Sequence, residues 1–203
     1  TSTSGNRQTL ELRNESVTGN GSMYIESGAE AKFLSSRFSS NQSDTNSYTT
    51  INYNQGHLST WVKRNVTDSN TAYIIDFGAN NNLKVYYDES SNDVYAMLGG
   101  TGTYVNKVLS TTDFYNIQVS WNTNVPSITV SVYDGSSTSS ANGVILQQDA
   151  PSQYVFVGSD SSGSNSFNGY IDEIVIWNRP LTSSEQDTLR SGANPKSIAP
   201  QHI

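Results

Sequence analysis

Short runs of alternating apolar and polar residues, separated by polar clusters, follow one another from Gly21 to about Asn178. Successive side chains of a strand point to opposite faces, so this period of two predicts β-strands with one buried face. About a dozen short strands at such regular spacing are typical of a β-sandwich or barrel. The predicted strands are residues 22–26, 31–36, 49–54, 57–64, 72–78, 83–89, 94–100, 114–121, 127–135, 144–148, 154–159 and 170–178.

Some of these runs are apolar on both faces, for example YIIDF at 73–77 and EIVIW at 173–177. Strands of that kind lie in the middle of a sheet covered on both sides, and two packed antiparallel sheets provide such cover. The clusters between the runs consist of residues that favour turns. We therefore interpret GTGT at 100–103 and GSSTSSANG at 135–143 as loops.

One segment, LTSSEQDTLRSG at 181–192, has helical character. A Ser or Thr can cap its start, and Gly192 is placed to end it. Leu181 and Leu189 are too few apolar residues for a face that binds a partner. The helix is therefore expected to close one end of the sandwich.

The 203 residues suffice for one hydrophobic core and predict a single domain. Residues 1–20 are polar around one alternating piece, and we interpret them as a leader or edge strand. Residues 21–192 form the predicted domain. Residues 193–203 contain two prolines and no periodicity, which indicates a tail or linker. These ends favour a module within a larger multidomain chain or a multivalent assembly.

The charge balance argues against nucleic acid as a partner. The formal net charge is -7, and the 11 basic residues are mostly scattered singly, whereas phosphate binding needs clustered Lys and Arg. No apolar run is long enough to span a bilayer, so no membrane insertion is expected. The chain contains no cysteine, which excludes disulfides and thiolate chemistry.

Asp172 and Glu173 form a prominent acidic pair. Adjacent strand side chains point to opposite faces, so these carboxylates cannot flank one glycosidic bond as a catalytic pair does. Asp172 alone suits a hard cation such as calcium, which binds many carbonyl oxygens. The alternative is that Asp172 caps a nearby loop by accepting backbone N–H bonds. The acid-rich runs DESSND and DSSGSNS are interpreted as ordinary hairpin loops.

Sugar binding combines an aromatic platform with planar amide or carboxylate groups, and this chain is rich in tyrosine and asparagine. The candidate ligand-binding residues are Tyr53, Tyr86, Tyr87, Tyr95, Tyr104 and Asn81. Tyr86 and Tyr87 are adjacent, so one is expected to face the core and the other the surface. For any single tyrosine, packing on a sheet face is the alternative. Three tryptophans within strong strands are predicted to be core residues: Trp61, Trp121 and Trp177.

A family likeness is carried by GHLSTWVKR at 56–64, FYNIQVSW at 114–121 with ITVSVYDG at 128–135, and FNGYIDEIVIWNRPLTSSEQDTL at 167–189. These segments resemble the concanavalin A-like, laminin G-like jelly-roll domains. In that family a hairpin closes on Asp-Gly, here Asp134-Gly135. The ending pattern Gly-x-Ile-Asp-Glu-x-x-Ile-aromatic-Asn-x-x-Leu-Ser/Thr-x-x-Glu matches from Gly169 to Glu185.

The resemblance implies an all-β, two-sheet antiparallel jelly-roll sandwich (concanavalin A-like) with one short C-terminal helix. Such domains are usually secreted or displayed on a surface, and they bind glycans or proteins. Members often carry a structural calcium ion. By this resemblance Asp172 is the expected side-chain ligand, and backbone carbonyls near Gly28 complete the site.

Three classes of function remain open. The leading hypothesis is a non-catalytic binding module, directed to carbohydrate, of a secreted or surface-displayed protein. The second is a structural or adhesion domain of a larger assembly, such as an adhesin or a virion decoration protein, that contacts protein partners. The third is a glycanase or polysaccharide lyase, for which Tyr53 and His57 with Lys63 or Arg64 form the only suitable grouping. No catalytic residues are predicted under the leading hypothesis.

Overall fold

A computed structural model describes residues 7–9, 23–25, 31–34, 54–67, 70–78, 82–145, 154–162, 165–177 and 179–198. The strands of the first sheet, sheet A, are β1 (Arg7–Thr9), β2 (Met23–Ile25), β4 (Gln55–Arg64), β9 (Tyr115–Asn122), β10 (Ser127–Tyr133), β11 (Thr138–Gly143) and β13 (Gly169–Trp177). The strands of the second, sheet B, are β3 (Ala31–Leu34), β5 (Thr71–Asp76), β6 (Lys84–Asp88), β7 (Asp93–Leu98), β8 (Thr101–Asn106) and β12 (Tyr154–Val157).

Paired strands in both sheets are antiparallel. Many neighbouring strands are not consecutive in the chain, because the chain crosses from one sheet to the other. Sheet A has the order β1-β13-β4-β9-β10-β11, with β2 also paired to β13. Sheet B has the order β3-β12-β5-β6-β7-β8. Strands that alternate between two facing sheets in this way form a jelly-roll sandwich, so the predicted fold class is confirmed.

One apolar core fills the space between the sheets. Leu58 and Val62 of β4, Val119 of β9 and Val85 of β6 are all fully buried. The positions between them point outward, as the period of two requires. The apolar alternation in the sequence therefore assigns each side chain to the core or to an outer face of the sandwich.

Two segments interpreted as loops from the sequence are strands, and that interpretation is wrong. Residues 101–103 belong to β8, and residues 138–143 form β11. Both strands lie at the edge of a sheet, where few side chains need to pack, so small polar residues suffice and the apolar signal is weak. The predicted strand 49–54, apart from its last residue, and residues 146–148 lie outside the described residues.

The predicted helix is present as α1 (Ser183–Arg190). Thr182 and Glu185 form a capping box, in which the Thr182 hydroxyl accepts from the Glu185 backbone and the Glu185 carboxylate accepts from the Thr182 backbone. Gly192 ends the helix with φ of 78°, in the left-handed region that favours glycine. Arg179 donates to both carboxylate oxygens of Glu185, at 2.8 and 2.6 Å.

Helix α1 covers part of the outer face of sheet A, so the expectation that it closes an end of the sandwich is wrong. A second apolar cluster joins the helical segment to this face through Val175, Trp177, Leu181, Leu189 and Ile198. Ile198 follows a short 3-10 turn at Pro195–Ser197, so the packed part of the chain extends beyond residue 193. Within the described residues, no helix has the length and apolar character needed to cross a membrane.

Candidate functional site

Four tyrosines on adjacent strands form a continuous stack on the outer face of sheet B. We call them the tyrosine ladder: Tyr73 of β5, Tyr86 of β6, Tyr95 of β7 and Tyr104 of β8. Neighbouring ring centroids are 5.0, 4.9 and 5.1 Å apart, with interplanar angles of 24°, 11° and 39°. This spacing is close to the distance between paired strands, so each ring lies against the next across the sheet.

The pairing register of β6, β7 and β8 places three of the ladder tyrosines side by side. Tyr95 is directly paired with both Tyr86 and Tyr104. Between β7 and β8 the chain turns over Gly99 and Gly100, with φ of 69° and 72°. A two-residue hairpin turn with positive φ at both positions strongly favours glycine and fixes the pairing of the strands that it joins.

The ladder presents ring edges and hydroxyl groups to solvent, because the faces of its inner rings are covered by their neighbours. Tyr104 lies at the free edge of the sheet and is 51% exposed. The other three rings are half-buried. The Tyr86 hydroxyl donates to the Met97 sulfur at 3.3 Å. The result is a shallow aromatic stripe across four strands, open at the β8 edge.

Next to the ladder, on the same outer face, runs a row of polar side chains. Asp88 of β6 is directly paired with Asp93 of β7, which is paired with Asn106 of β8. The Asn106 amide donates to the Asp93 carboxylate at 2.9 Å. The Asp88 carboxylate accepts from the backbone and the hydroxyl of Ser90, at 2.9 and 2.6 Å. Planar amide and carboxylate groups therefore lie beside the aromatic stripe.

The other end of the ladder meets the loop that follows β12. The Tyr73 backbone donates to the carbonyl of Asn165 at 2.9 Å. Asn165 in turn donates from its side chain to Asp160 at 2.6 Å. The buried Asp76 carboxylate accepts from the backbone of Ser161 at 2.9 Å. Acidic groups thus surround the Tyr73 end as well.

Partial burial and neighbouring groups raise the pKa of three ladder phenols, Tyr73, Tyr86 and Tyr95, and so hold them in their neutral form. Burial raises the pKa of Tyr86 to about 12, helped by the adjacent Tyr73, Tyr95 and Asp88. Burial, and then Asp76 and Asp160, raise the pKa of Tyr73. At neutral pH these hydroxyls are therefore able both to donate and to accept hydrogen bonds.

The structure brings together three of the predicted ligand-binding residues: Tyr86, Tyr95 and Tyr104. Sequence reasoning missed the fourth member of the ladder, Tyr73. Its pairing with Tyr86 depends on a register shift between Tyr73 and Ile75, which no local sequence signal specifies. Three other predicted site residues lie outside the described residues: Gly28, Tyr53 and Asn81.

Tyr87 does not belong to the outer face, which corrects its inclusion among the ligand-binding candidates. It is fully buried, and its hydroxyl donates to the Asn92 side chain at 2.9 Å. The Arg64 guanidinium lies 4.8 Å from the centre of its ring. Tyr87 therefore faces the core and Tyr86 the surface, as strand alternation requires.

Asp172 lies at a bulge in β13, where the pairing with β4 shifts between Asp172 and Val175. The Asp172 carboxylate accepts from the Glu173 backbone at 2.8 Å. Glu173 has φ of 50°, a left-handed conformation that is unfavourable for a residue with a Cβ atom. Partial desolvation and the Asp172 charge raise the pKa of Glu173.

The described residues contain no group of three or more His, Cys, Asp or Glu that could hold a metal ion. A site made of Asp172 and backbone carbonyls near Gly28 is a different arrangement, and because Gly28 lies outside the described residues the calcium ion stays a prediction.

The prediction that all three tryptophans are core residues is wrong for Trp61. Trp121 and Trp177 are 2% and 0% exposed, whereas Trp61 is only partly buried. Leu58 and Val62 take the inner positions of β4, so Trp61 points outward. There it lies edge-on to Tyr133, with ring centroids 6.5 Å apart.

Three members of the grouping expected of a lyase are described, and they do not converge. His57 and Lys63 are six residues (~20 Å) apart along β4, and Arg64 points to the other face. Tyr53 lies outside the described residues. His57 is fully buried on the side of sheet A covered by α1, and its Nδ1 lies 2.6 Å from the Ser120 hydroxyl. Burial lowers the pKa of His57 to about 3. Arg64 is buried and forms an ion pair with Glu89, and Lys63 lies over the ring of Phe114. His57 and Arg64 point to opposite faces of β4.

Comparison with known proteins supports the fold. The sequence matches the family model of the concanavalin A-like lectin/glucanases superfamily over residues 37–185. A search of curated proteins gives no match.

Several solved structures share the architecture at low sequence identity. A heptameric SAP-like pentraxin from Limulus polyphemus has a TM-score of 0.53 at 15% identity, covering 70% of this chain and 72% of that chain. The sialidase of Trypanosoma rangeli in complex with the inhibitor DANA has a TM-score of 0.60 at 13% identity, covering 91% and 29%. The receptor-binding domain of botulinum neurotoxin C/D mosaic serotype has a TM-score of 0.60 at 14% identity, covering 91% and 45%. The chain thus spans less than half of the sialidase and of the toxin domain, and these likenesses show the fold alone.

Proposed function

The chain belongs to the concanavalin A-like lectin/glucanase superfamily, and from that premise we propose that it is a non-catalytic module that binds glycans. The observation that carries the proposal is the tyrosine ladder, which is open on the outer face of sheet B. The proposed setting is extracellular or surface-displayed, as the family likeness implies.

The chemistry of the ladder suits a sugar. Ring edges and the exposed face of Tyr104 offer apolar contact to the C–H groups of a pyranose. The phenol hydroxyls and the neighbouring row of Asp88, Asp93 and Asn106 can exchange hydrogen bonds with sugar hydroxyls. The stripe is shallow, so affinity per site is expected to be low and to be increased by multivalency.

The test is a screen of the purified domain on a glycan array, with Tyr104→Ala as the variant. Tyr104 lies on an edge strand, so its truncation leaves the core intact. Phe114→Ala is the matched control, because Phe114 is also an exposed aromatic residue, at 40%, but belongs to the sheet A side. We expect binding by the parent and by Phe114→Ala, and weaker binding by Tyr104→Ala. A blank array for the parent protein contradicts the proposal and favours a role in contacting protein partners.

The same screen tests the calcium prediction. A structural ion would require oxygen ligands beyond Asp172, near Gly28, which lies outside the described residues. Binding that is lost in EDTA and restored by calcium supports the ion and makes Asp172→Ala the next variant. Binding unchanged by EDTA indicates that sugar recognition at the ladder needs no metal.

A further inference from the structure

Asp88 and Asp93 form a directly opposed pair of like charges. They are cross-strand partners at the loop end of the β6–β7 hairpin, on the same outer face as the tyrosine ladder. Like charges directly opposite each other destabilise an antiparallel pair. Asp93 is, in addition, only 6% exposed. The fold therefore keeps two adjacent carboxylates beside the ladder at a cost in stability.

The hydrogen-bond donors to these carboxylates are neutral. Ser90 donates to Asp88, and the Asn106 amide donates to Asp93. Over the part of the chain that the structure describes, neither carboxylate takes part in an ion pair. The ammonium group of Lys107, which directly follows Asn106 in the chain, is instead 2.5 Å from Asp134.

Two further acidic groups lie near one end of the ladder. Asp76 and Asp160 lie at its Tyr73 end, where both act on the Tyr73 phenol. Asp76 lies on the opposite side of the ladder from Asp88 and Asp93, where it is the direct cross-strand partner of Lys84, so the Lys84 ammonium offsets its charge. The uncompensated negative charge therefore lies on the side of the ladder that carries Asp88 and Asp93, beside the aromatic rings, and such an environment attracts a cation.

We infer that the glycan bound by the ladder carries protonated amino groups, one of which lies between Asp88 and Asp93 while the sugar rings follow Tyr86, Tyr95 and Tyr104. This inference rests on the proposed function and specifies its ligand class. A bound ammonium group removes the repulsion between the two carboxylates and forms charge-assisted hydrogen bonds with both. A carboxylated or sulfated glycan meets repulsion at the same place.

The experiment measures binding by calorimetry for three oligosaccharides of matched length: chitosan, which has free amines, chitin, in which they are acetylated, and oligogalacturonate, which is anionic. We expect chitosan to bind about tenfold more tightly than chitin, with an advantage that shrinks as salt is added. Oligogalacturonate is expected not to bind.

The variant is the double substitution Asp88→Asn and Asp93→Asn, which keeps the oxygen acceptors for Ser90 and Asn106. We expect it to lose about tenfold in affinity for chitosan and much less for chitin, because the asparagine amides still exchange hydrogen bonds with sugar hydroxyls but no longer attract an ammonium group. The melting temperature should equal or exceed that of the parent. Asp187→Asn is the matched control, because Asp187 is 70% exposed on α1, away from sheet B.

The outcomes separate this inference from the proposed function. Equal binding of chitin and chitosan, or preference for oligogalacturonate, overturns the inference and leaves the glycan-binding proposal standing. Chitosan binding that survives the double substitution overturns the assignment to Asp88 and Asp93. Failure of all three oligosaccharides to bind overturns the inference, and a blank glycan array then contradicts the proposed function as well.

Discussion

The outer faces of the two sheets both carry polar and aromatic side chains, yet sheet B leaves an aromatic stripe open while sheet A buries polar side chains under helix α1. On sheet A the Gln118 amide donates to the Asn116 side chain at 2.7 Å and to the Gln186 carbonyl of α1 at 3.1 Å. His57 and Asn116 are 0% and 1% exposed on this face. On sheet B the ladder tyrosines keep exposed edges.

The difference teaches that an outward-facing polar residue is not by itself a sign of function. Strand alternation places both sets of residues on an outer face, and what covers that face decides their role. Under α1 the Gln118 amide donates to Asn116 and to the helix, which gives these side chains a structural role. Among the described residues, the buried His57 Nε2, Gln118 Oε1 and Trp177 Nε1 atoms have no hydrogen-bond partner. On the ladder nothing in the described structure occupies the outer edges, which leaves them available to a ligand. Substitutions on the two faces test this contrast.

The largest loss of stability is expected when Trp177, which packs helix α1 against sheet A, is truncated. Trp177 is fully buried between β13 and α1, so Trp177→Ala should destabilise the fold by about 3–5 kcal/mol. Tyr104→Ala on the ladder should cost roughly 1 kcal/mol or less. Chemical unfolding of both variants measures the difference. Similar losses would mean that the two faces do not differ in their structural roles.

The second effect is a loss of stability in acid that arises on the sheet A side. The unfolded state binds a proton at His57 near pH 6.5, whereas the folded state does so only near pH 3. Burial of neutral His57 therefore carries no protonation cost above pH 6.5, and the free energy of unfolding decreases as the pH falls from 6.5 toward 3. In urea unfolding across this range, His57→Gln should show a shallower decline than the parent. Equal slopes would show that His57 can be protonated while α1 stays docked.

Interrupting the ladder should have a smaller effect on stability and a larger one on binding. Tyr95 stacks on two neighbours, so Tyr95→Ala should cost about 1–2 kcal/mol. The same substitution should also lower the affinity for glycans. Tyr95→Phe retains the ring and serves as the control for stability. If Tyr95→Ala binds sugar as well as the parent protein does, the ladder is only a stabilising element of sheet B.

The smallest effect concerns the bulge on sheet A. Glycine adopts the φ of 50° at Glu173 without steric cost, so Glu173→Gly should stabilise the protein by up to about 1 kcal/mol. Binding of glycans should not change, since Glu173 belongs to the other face. A melting curve and one binding isotherm settle both points. A loss of binding would indicate that the strained bulge serves a ligand on sheet A.

Part of the ladder follows from the sequence alone. Gly99 and Gly100 make a two-residue hairpin turn recognisable, and counting equally outward from its centre pairs Tyr95 with Tyr104. The four residues ESSN between Asp88 and Asp93 similarly pair Tyr86 with Tyr95. Tyr73 could not be found in this way, because a longer loop and a bulge separate it from Tyr86.

Other features needed tertiary contacts that a single sequence does not contain. The polarity of β8 and β11 reflects their edge positions, which depend on the order of strands in the completed sandwich. Trp61 and Trp177 both point out of sheet A, and only the docking of α1 buries Trp177. Which outer face remains open could therefore not be read from the alternation of apolar residues.

The most direct test of the account is a titration of the isotopically labelled domain with a short chitosan oligosaccharide, followed through its backbone amide NMR signals. We expect the signals that move to be those of β6, β7 and β8, with the largest changes around Tyr86, Tyr95 and Tyr104. Signals of β4, β9 and helix α1 should stay in place. Changes confined to sheet A and α1 would contradict the central claim that the open tyrosine ladder is the binding surface.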